Sequence, residues 1–215
     1  MKEQSNAREI FDKYAGAYQE KYMDVDRYSS FLDIFIKNLD RNDTRILEIG
    51  CGPGNLTKYL LKKLPQLKIT GIDFSENMIN LARENNPQAD FLVMDARDIG
   101  NLNAQFGAVV CGFCLPYFSP DEVSRFITNI SNMLEAPGLV FFSFMESESG
   151  KQFEVLANKK GENLETWYHK ASEISKILTN HGFEILTTAR IENPANANSV
   201  FDRLVLARKD QGACN

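Results

Sequence analysis

The chain has 215 residues, of which 24 are Lys or Arg and 29 are Asp or Glu, for a net charge of −5. That length gives one domain, and 43% hydrophobic with 25% charged residues provides a core to bury and a surface to solvate, which excludes intrinsic disorder. The acidic balance argues against a dedicated nucleic-acid binder, and no stretch reaches the ~18 apolar residues of a membrane helix.

The polar start, Met1 to Asn6, has no apolar run behind it, so the expectation is a cytoplasmic protein of small-molecule chemistry with no membrane partner. Four cysteines, Cys51, Cys111, Cys114 and Cys214, are too sparse for a disulfide scaffold, and reduced thiols are expected.

Residues 6 to 22 place Phe11, Tyr14, Ala15, Tyr18 and Tyr22 on one helical face, with Asn6 and Glu9 in capping-box positions. A second helical pattern runs through Tyr28, Phe31, Leu32, Phe35 and Leu39 to the polar run Asp40–Asp43, and Ile46–Ile49 then reads as a strand. Alternation follows: helix Leu56–Leu64, strand Lys68–Ile72, helix Ser75–Asn86 and strand Phe91–Met94, a βαβαβ pattern. After strand Phe106–Gly112, Ser119, Pro120 and Glu122 supply an N-cap, a proline at the first helical position and a capping-box acid.

Ala136-Pro137-Gly138 stops that helix, and the continuously apolar Leu139–Phe144 reads as a central strand. The polar stretch Glu146–Trp167 interrupts the alternation as a lid or substrate insertion with room for a short helix. Helix His169–Asn180 and strands near Phe183–Ala189 and Val200–Ala207 complete the sheet, joined by the turn-rich Asn193–Asn198, and Gln211–Asn215 reads as a frayed end.

The strand-loop-helix Ile46-Leu47-Glu48-Ile49-Gly50-Cys51-Gly52-Pro53-Gly54-Asn55-Leu56 lets backbone turn sharply and bring amides close to a ligand. Asp73 ends the next strand, 73 − 50 = 23 residues from the first glycine, near the spacing at which a carboxylate accepts both hydroxyls of a ribose. The loop is GxGxG with Asn55 where a dinucleotide fingerprint has Gly or Ala, which disfavours NAD.

Glu48-Ile49-Gly50-Cys51-Gly52-Pro53-Gly54 resembles the first motif of the class I S-adenosylmethionine-dependent methyltransferases, and the resemblance, to the small-molecule, ubiquinone- and sterol-methyltransferase-like branch, extends over nearly the whole chain. It implies an α/β, Rossmann-like fold: a mostly parallel seven-stranded sheet with helices on both faces and an antiparallel last strand. Within one methyltransferase domain it implies a helical cover over residues 1–40, a cofactor-binding core over 41–145, an insertion or lid over 146–168 and the rest of the sheet over 169–210.

By the same resemblance the cofactor is S-adenosyl-L-methionine, leaving as S-adenosyl-L-homocysteine. Gly50, Cys51, Gly52 and Gly54 form its loop, and Asp73 holds the ribose. Phe74 and Met78 flank the adenine, and Asp95 with the amide of Ala96 reads its edge. Glu48 either reaches the ligand's ammonium through water or caps the loop, and the carbonyl of Cys111 faces the same ammonium. Tyr14 and Tyr18 either close over the cofactor or belong to a plain amphipathic helix.

Gly107 stands where the family often has an acid at the start of the fourth strand. Cys111-Gly112-Phe113-Cys114 is formally CxxC, but without a second pair zinc is not expected, and no metal is assigned. Cys114-Leu115-Pro116-Tyr117 lacks the Asn/Asp-Pro-Pro-Tyr acceptor of nucleobase-amine methyltransferases. By the same resemblance Tyr117 is a substrate wall or core packing, Glu146 ends the fifth strand on the ligand-binding edge, and Tyr168 stands where relatives border the acceptor pocket. His169 is a candidate base or an exposed residue at a helix start, and His181 a capping cation.

The reaction expected is in-line methyl displacement onto a small-molecule acceptor, which needs alignment and exclusion of water more than a base. A non-catalytic cofactor-binding module and a methyltransferase for protein or RNA remain alternatives. A nicotinamide oxidoreductase is disfavoured, because its Tyr-xxx-Lys pair occurs only at Tyr59 and Lys63, directly after the glycine loop.

Overall fold

Along the central strands, successive side chains go to opposite layers. Ala108, Val110, Phe141, Leu204 and Leu206 pack in one cluster with Phe31, Leu32, Phe35, Leu56 and Leu60. Their neighbours Val109, Cys111, Val140, Phe142 and Val205 pack in another with Val123, Phe126, Ile127, Ile130, Ile174 and Leu178. The sheet is thus buried on both faces, which is why these strands read as continuous apolar runs.

The computed structural model describes residues 4–40, 45–157, 161–193 and 199–210. Helices α1 (Gln4–Lys13), α2 (Ala15–Tyr22) and α3 (Ser29–Asn38) precede β1 (Arg45–Ile49), α4 (Asn55–Lys63), β2 (Lys68–Asp73), α5 (Glu76–Asn85) and β3 (Asp90–Val93). Then come β4 (Phe106–Gly112), a 3-10 turn Leu115–Tyr117, α6 (Pro120–Met133), β5 (Leu134–Ser147), β6 (Phe153–Ala157), β7 (Asn163–Trp167), α7 (Ala171–Asn180), β8 (Phe183–Glu192) and β9 (Val200–Lys209).

The seven-stranded sheet has the order β3-β2-β1-β4-β5-β9-β8. All its pairings are parallel except those of β9, which lies antiparallel between β5 and β8. This is the Rossmann-like arrangement expected. Strand order reverses beside β1, whose neighbours are β2 and β4, and a doubly wound sheet opens a crevice at the C-terminal strand ends there.

The single opening helix expected over residues 6–22 is two helices, α1 and α2, parted at Tyr14. The capping-box side chain of Asn6, most of the turn after Asn193 and the segment Gln211–Asn215 lie outside the described residues. At α6 the capping box forms as expected: Glu122 Oε2 accepts from the Ser119 amide at 2.8 Å, and Ser119 Oγ from the Glu122 amide at 3.4 Å.

Strand β5 begins at Leu134, so Ala136-Pro137-Gly138 lies inside it, where the β4 pairing shifts register between Phe106 and Ala108. The room for a short helix in Glu146–Trp167 is taken instead by the antiparallel hairpin β6–β7. Phe153, Val155 and Ala157 recur at a period of two, the spacing of one face of a strand and not of a helix. Among the described residues no helix is long and apolar enough to cross a membrane.

Candidate active site

After β1 the chain turns through Gly50, Gly52 and Gly54, with φ of +67°, +52° and +78°. These values are unfavourable for a side chain, and space is short as well. A Cβ on Gly50 would sit 3.1 Å from Cys114 Cβ, and one on Gly54 would sit 2.4 Å from Asn86 Nδ2. The loop is fastened to β2 by the Cys51 amide on the Ile72 carbonyl at 2.9 Å and by the Gly52 amide on Asp73 Oδ2 at 3.0 Å.

Asp73 is 8% exposed. Its Oδ1 accepts from the Ser75 amide at 2.9 Å. Burial pushes its carboxyl up to about 6, against the backbone N–H groups of Ser75, Gly52 and Phe74, which favour the ionised form. Ser75 caps α5 through Met78, whose amide donates to Oγ at 3.1 Å, while its own hydroxyl donates to Asp12 Oδ1 at 2.8 Å. Asp12 also takes the Asn77 amide at 2.9 Å and the Asn77 side chain on Oδ2 at 3.0 Å, so the end of α1 is strapped to the start of α5.

A cleft opens here at the strand ends. Of the residues singled out in the sequence, Gly50, Gly52, Asp73, Phe74, Met78, Asp95 and Ala96 line it, with Tyr18 and Tyr117. Burial raises the phenols of Tyr18 and Tyr117 well above the usual tyrosine value, so both stay protonated.

The remaining sequence candidates lie away from its wall. Glu48 is 1% exposed and accepts from the Thr57 hydroxyl, on the α4 side of the sheet. Burial pushes its carboxyl up to about 7, with the hydroxyl and amide of Thr57 opposing. That contact ties β1 to the first turn of α4. Gly54 is the N-cap of α4, with its carbonyl held by Asn86 Nδ2 at 3.0 Å. Cys51 is buried with Ile79, Ala82 and Phe91, and Cys111 lies fully buried in the core.

Tyr14 hydrogen-bonds Glu162 Oε2 at 2.6 Å, and Lys13 pairs with Oε1 of the same residue, so this side of α1 reaches the hairpin. Glu146 forms an ion pair with Arg203 at 3.0 Å, and the Tyr168 hydroxyl donates to Glu154 at 2.9 Å.

His169 is 4% exposed, with Nε2 2.9 Å from the Leu115 carbonyl. Nε2 must therefore carry the proton. Burial lowers the imidazole pKa against the carbonyls of Leu115 and Phe118, which favour its charged form. It supports the 3-10 turn from beneath and is not presented to the cleft. His181 ends α7 as expected of a cap, with Nδ1 2.9 Å from the Ile177 carbonyl.

Phe11 and Arg97 are among the cleft residues that went unassigned in the sequence. Phe11 packs against Tyr18, Phe74 and Tyr117 with ring centroids at 5.9, 6.1 and 5.2 Å. It shares the helical face of Tyr14 and Tyr18, which was its available signal. Arg97 follows the Asp95-Ala96 pair and bonds Asp95, Glu122 and the Tyr117 carbonyl; no local pattern announces such distant partners.

Glycine loop, two strand-end acids and a switch-point crevice meet at one edge of a Rossmann-like sheet. Residues 46–138 match the sequence model of a methyltransferase domain, and the fold is similar to that of solved S-adenosylmethionine-dependent methyltransferases.

Demethylmenaquinone methyltransferase of Thermotoga maritima is 30% identical over 125 residues, 55% of this chain and 53% of that protein. A tRNA N(3)-methylcytidine methyltransferase of Schizosaccharomyces pombe is 33% identical over 113 residues, 48% and 37% respectively. The chain thus spans about half or less of the length of these relatives. The crystal structure of magnesium protoporphyrin IX methyltransferase from Synechocystis PCC 6803 with bound SAH matches with a TM-score of 0.72 at 20% identity, over 95% of this chain and 98% of that one.

Proposed function

We propose that the chain binds S-adenosylmethionine in this cleft and directs its methyl group to a small-molecule acceptor. The observation that carries the reading is the Asp73 carboxylate: it is desolvated on the cleft wall, with the Gly52 amide on Oδ2 and the Ser75 amide on Oδ1. A carboxylate oxygen has room for a further donor, so two hydroxyls of one ribose fit it. The close approach of the Gly50–Gly52 backbone and the apolar side chains of Phe74 and Met78 suit the rest of a nucleoside, with Asp95 as acceptor for an exocyclic amine.

When bound, S-adenosylmethionine supplies an electrophilic methyl group on a sulfonium. Residues of the chain then align the acceptor and exclude water. Phe11, Tyr18 and Tyr117 form an aromatic closure beside the cleft, with Phe11 and Tyr117 meeting edge to face at 77°. Such rings favour a nearby cation and shield the reacting line from solvent. With His169 held beneath the turn, no histidine of the described residues serves as base in the cleft, and an acceptor that loses its proton to water suffices. The small-molecule acceptor is supported by this narrow aromatic closure and the acidic chain.

Calorimetric titration with S-adenosylmethionine and S-adenosylhomocysteine, with NAD as control, tests the cofactor. Binding of the first two alone is expected; binding of NAD alone, or of nothing, would overturn the reading. Transfer of labelled methyl into a small-metabolite pool, and not into RNA or protein, is the expected acceptor result.

A further inference from the structure

We propose that Arg97 is a positioning residue that aims the Asp95 carboxylate and so gives the cleft its preference for a 6-amino purine; this rests on the cofactor reading above. Asp95 follows β3 and caps the 3-10 turn Ala96–Asn101. Its side chain would turn about a soft two-fold torsion if left alone. Arg97 removes that freedom. Its amide donates to Asp95 Oδ1 at 2.8 Å, and its Nη1 donates to the same oxygen at 3.2 Å. Oδ2 meets Nη1 only at 3.5 Å, the limit of a hydrogen bond, and keeps acceptor capacity for a donor in the cleft.

The guanidinium is itself held on its other edges. Nε donates to Glu122 Oε1 at 2.9 Å, Nη2 donates to the Tyr117 carbonyl at 2.7 Å, and the group lies over the Phe118 ring at 4.5 Å from its centroid. Glu122 is in turn fixed by the capping box of α6 through its second oxygen. The carboxylate is therefore referenced to α6 and to the turn after β4, not only to its own loop. A planar fork can serve three partners at once, which a lysine ammonium on a flexible stem cannot do with the same geometry.

An aimed acceptor at this end discriminates: an amine donates to it, whereas a 6-oxo group sets oxygen against oxygen. A residue that merely stabilised the fold would affect both ligands alike. The test is competitive titration of the full chain with S-adenosylhomocysteine and S-inosylhomocysteine, for wild type, Arg97→Gln, Arg97→Lys and Glu122→Gln, with Ser119→Ala as control for a weakened α6 cap.

Wild type is expected to prefer the adenine ligand by about tenfold or more, the scale of one lost hydrogen bond to a charged group. Arg97→Gln is expected to bring the ratio to within about threefold, with Arg97→Lys and Glu122→Gln between and Ser119→Ala at the wild-type ratio. Equal weakening of both ligands by Arg97→Gln, or an unchanged ratio in all three variants, would overturn the proposal while leaving the cofactor reading intact. If Arg97→Gln fails to fold, the ratios of Arg97→Lys and Glu122→Gln decide. Failure of wild type to bind either ligand would remove the cofactor reading and this proposal with it.

Discussion

The two ends of the cleft are built differently. At one end, polar groups from consecutive strand ends converge: the Gly52 amide and Asp73 bond directly, and Asp95 follows one strand later. At the other, aromatic rings meet from elements far apart in sequence, Phe11 from α1, Tyr18 from α2 and Tyr117 from the turn after β4. The polar end depends on hydrogen bonds that nearby chain imposes, and the aromatic end on side chains brought together only by the finished fold. A substitution at the first should abolish a ligand's grip; one at the second should change how long the ligand stays.

The largest effect is expected from Asp73→Ala, with affinity for S-adenosylhomocysteine falling by about 100-fold or more, as two hydrogen bonds to a carboxylate are lost. In wild type the same affinity should fall as pH drops below about 6, where Asp73 takes up its proton. Asp73→Asn should flatten that dependence. A flat wild-type titration would break the assignment of the polar end.

Next is Glu48→Gln. Glu48 titrates near 7 in the folded chain, raised by burial from about 4.5. The folded state therefore holds the extra proton between those values, and stability falls as pH rises through that window. The variant should remove that slope, a gain at pH 8 relative to pH 5 on the order of 3 kcal/mol, read as a denaturation midpoint.

Phe11→Ala should speed dissociation of S-adenosylhomocysteine several-fold in stopped flow, with the melting temperature within about 2 °C of wild type. A collapse of equilibrium affinity to the level of Asp73→Ala would erase the contrast between the two ends. The smallest effect on chemistry is expected from His169→Gln: once an acceptor is in hand, turnover should stay within about threefold with no new limb in its pH profile. A loss of more than tenfold together with the limb would restore the histidine as base.

This contrast also explains what the sequence made legible. The glycine loop, Asp73 and Asp95-Ala96 stand at strand ends a helix apart, and local turn chemistry carries their positions. The seven-stranded sheet followed from the alternation of apolar runs with helices. The α6 cap was equally plain, because its three residues speak only to one another. His169 and Glu146 were chosen for lying near strand or helix ends, but such placement does not say which layer a side chain enters. His169 enters the core beneath Leu115, and Glu146 meets Arg203. Phe11 was visible as a ring on a helical face, without the partners that give it a place. Arg97 bonds residues 20 and 25 positions away, a relation no periodicity encodes.

The strap between α1 and α5 carries its own clock. The Asn77 amide lies in the first turn of α5, where a helix offers no internal acceptor, and it donates to Asp12. One position further on, the Met78 amide donates to the helix's own cap, Ser75. In hydrogen exchange the two neighbours should therefore run at separate rates. Asn77 would time each lifting of α1 from the cleft, and Met78 would time the fraying of α5 itself.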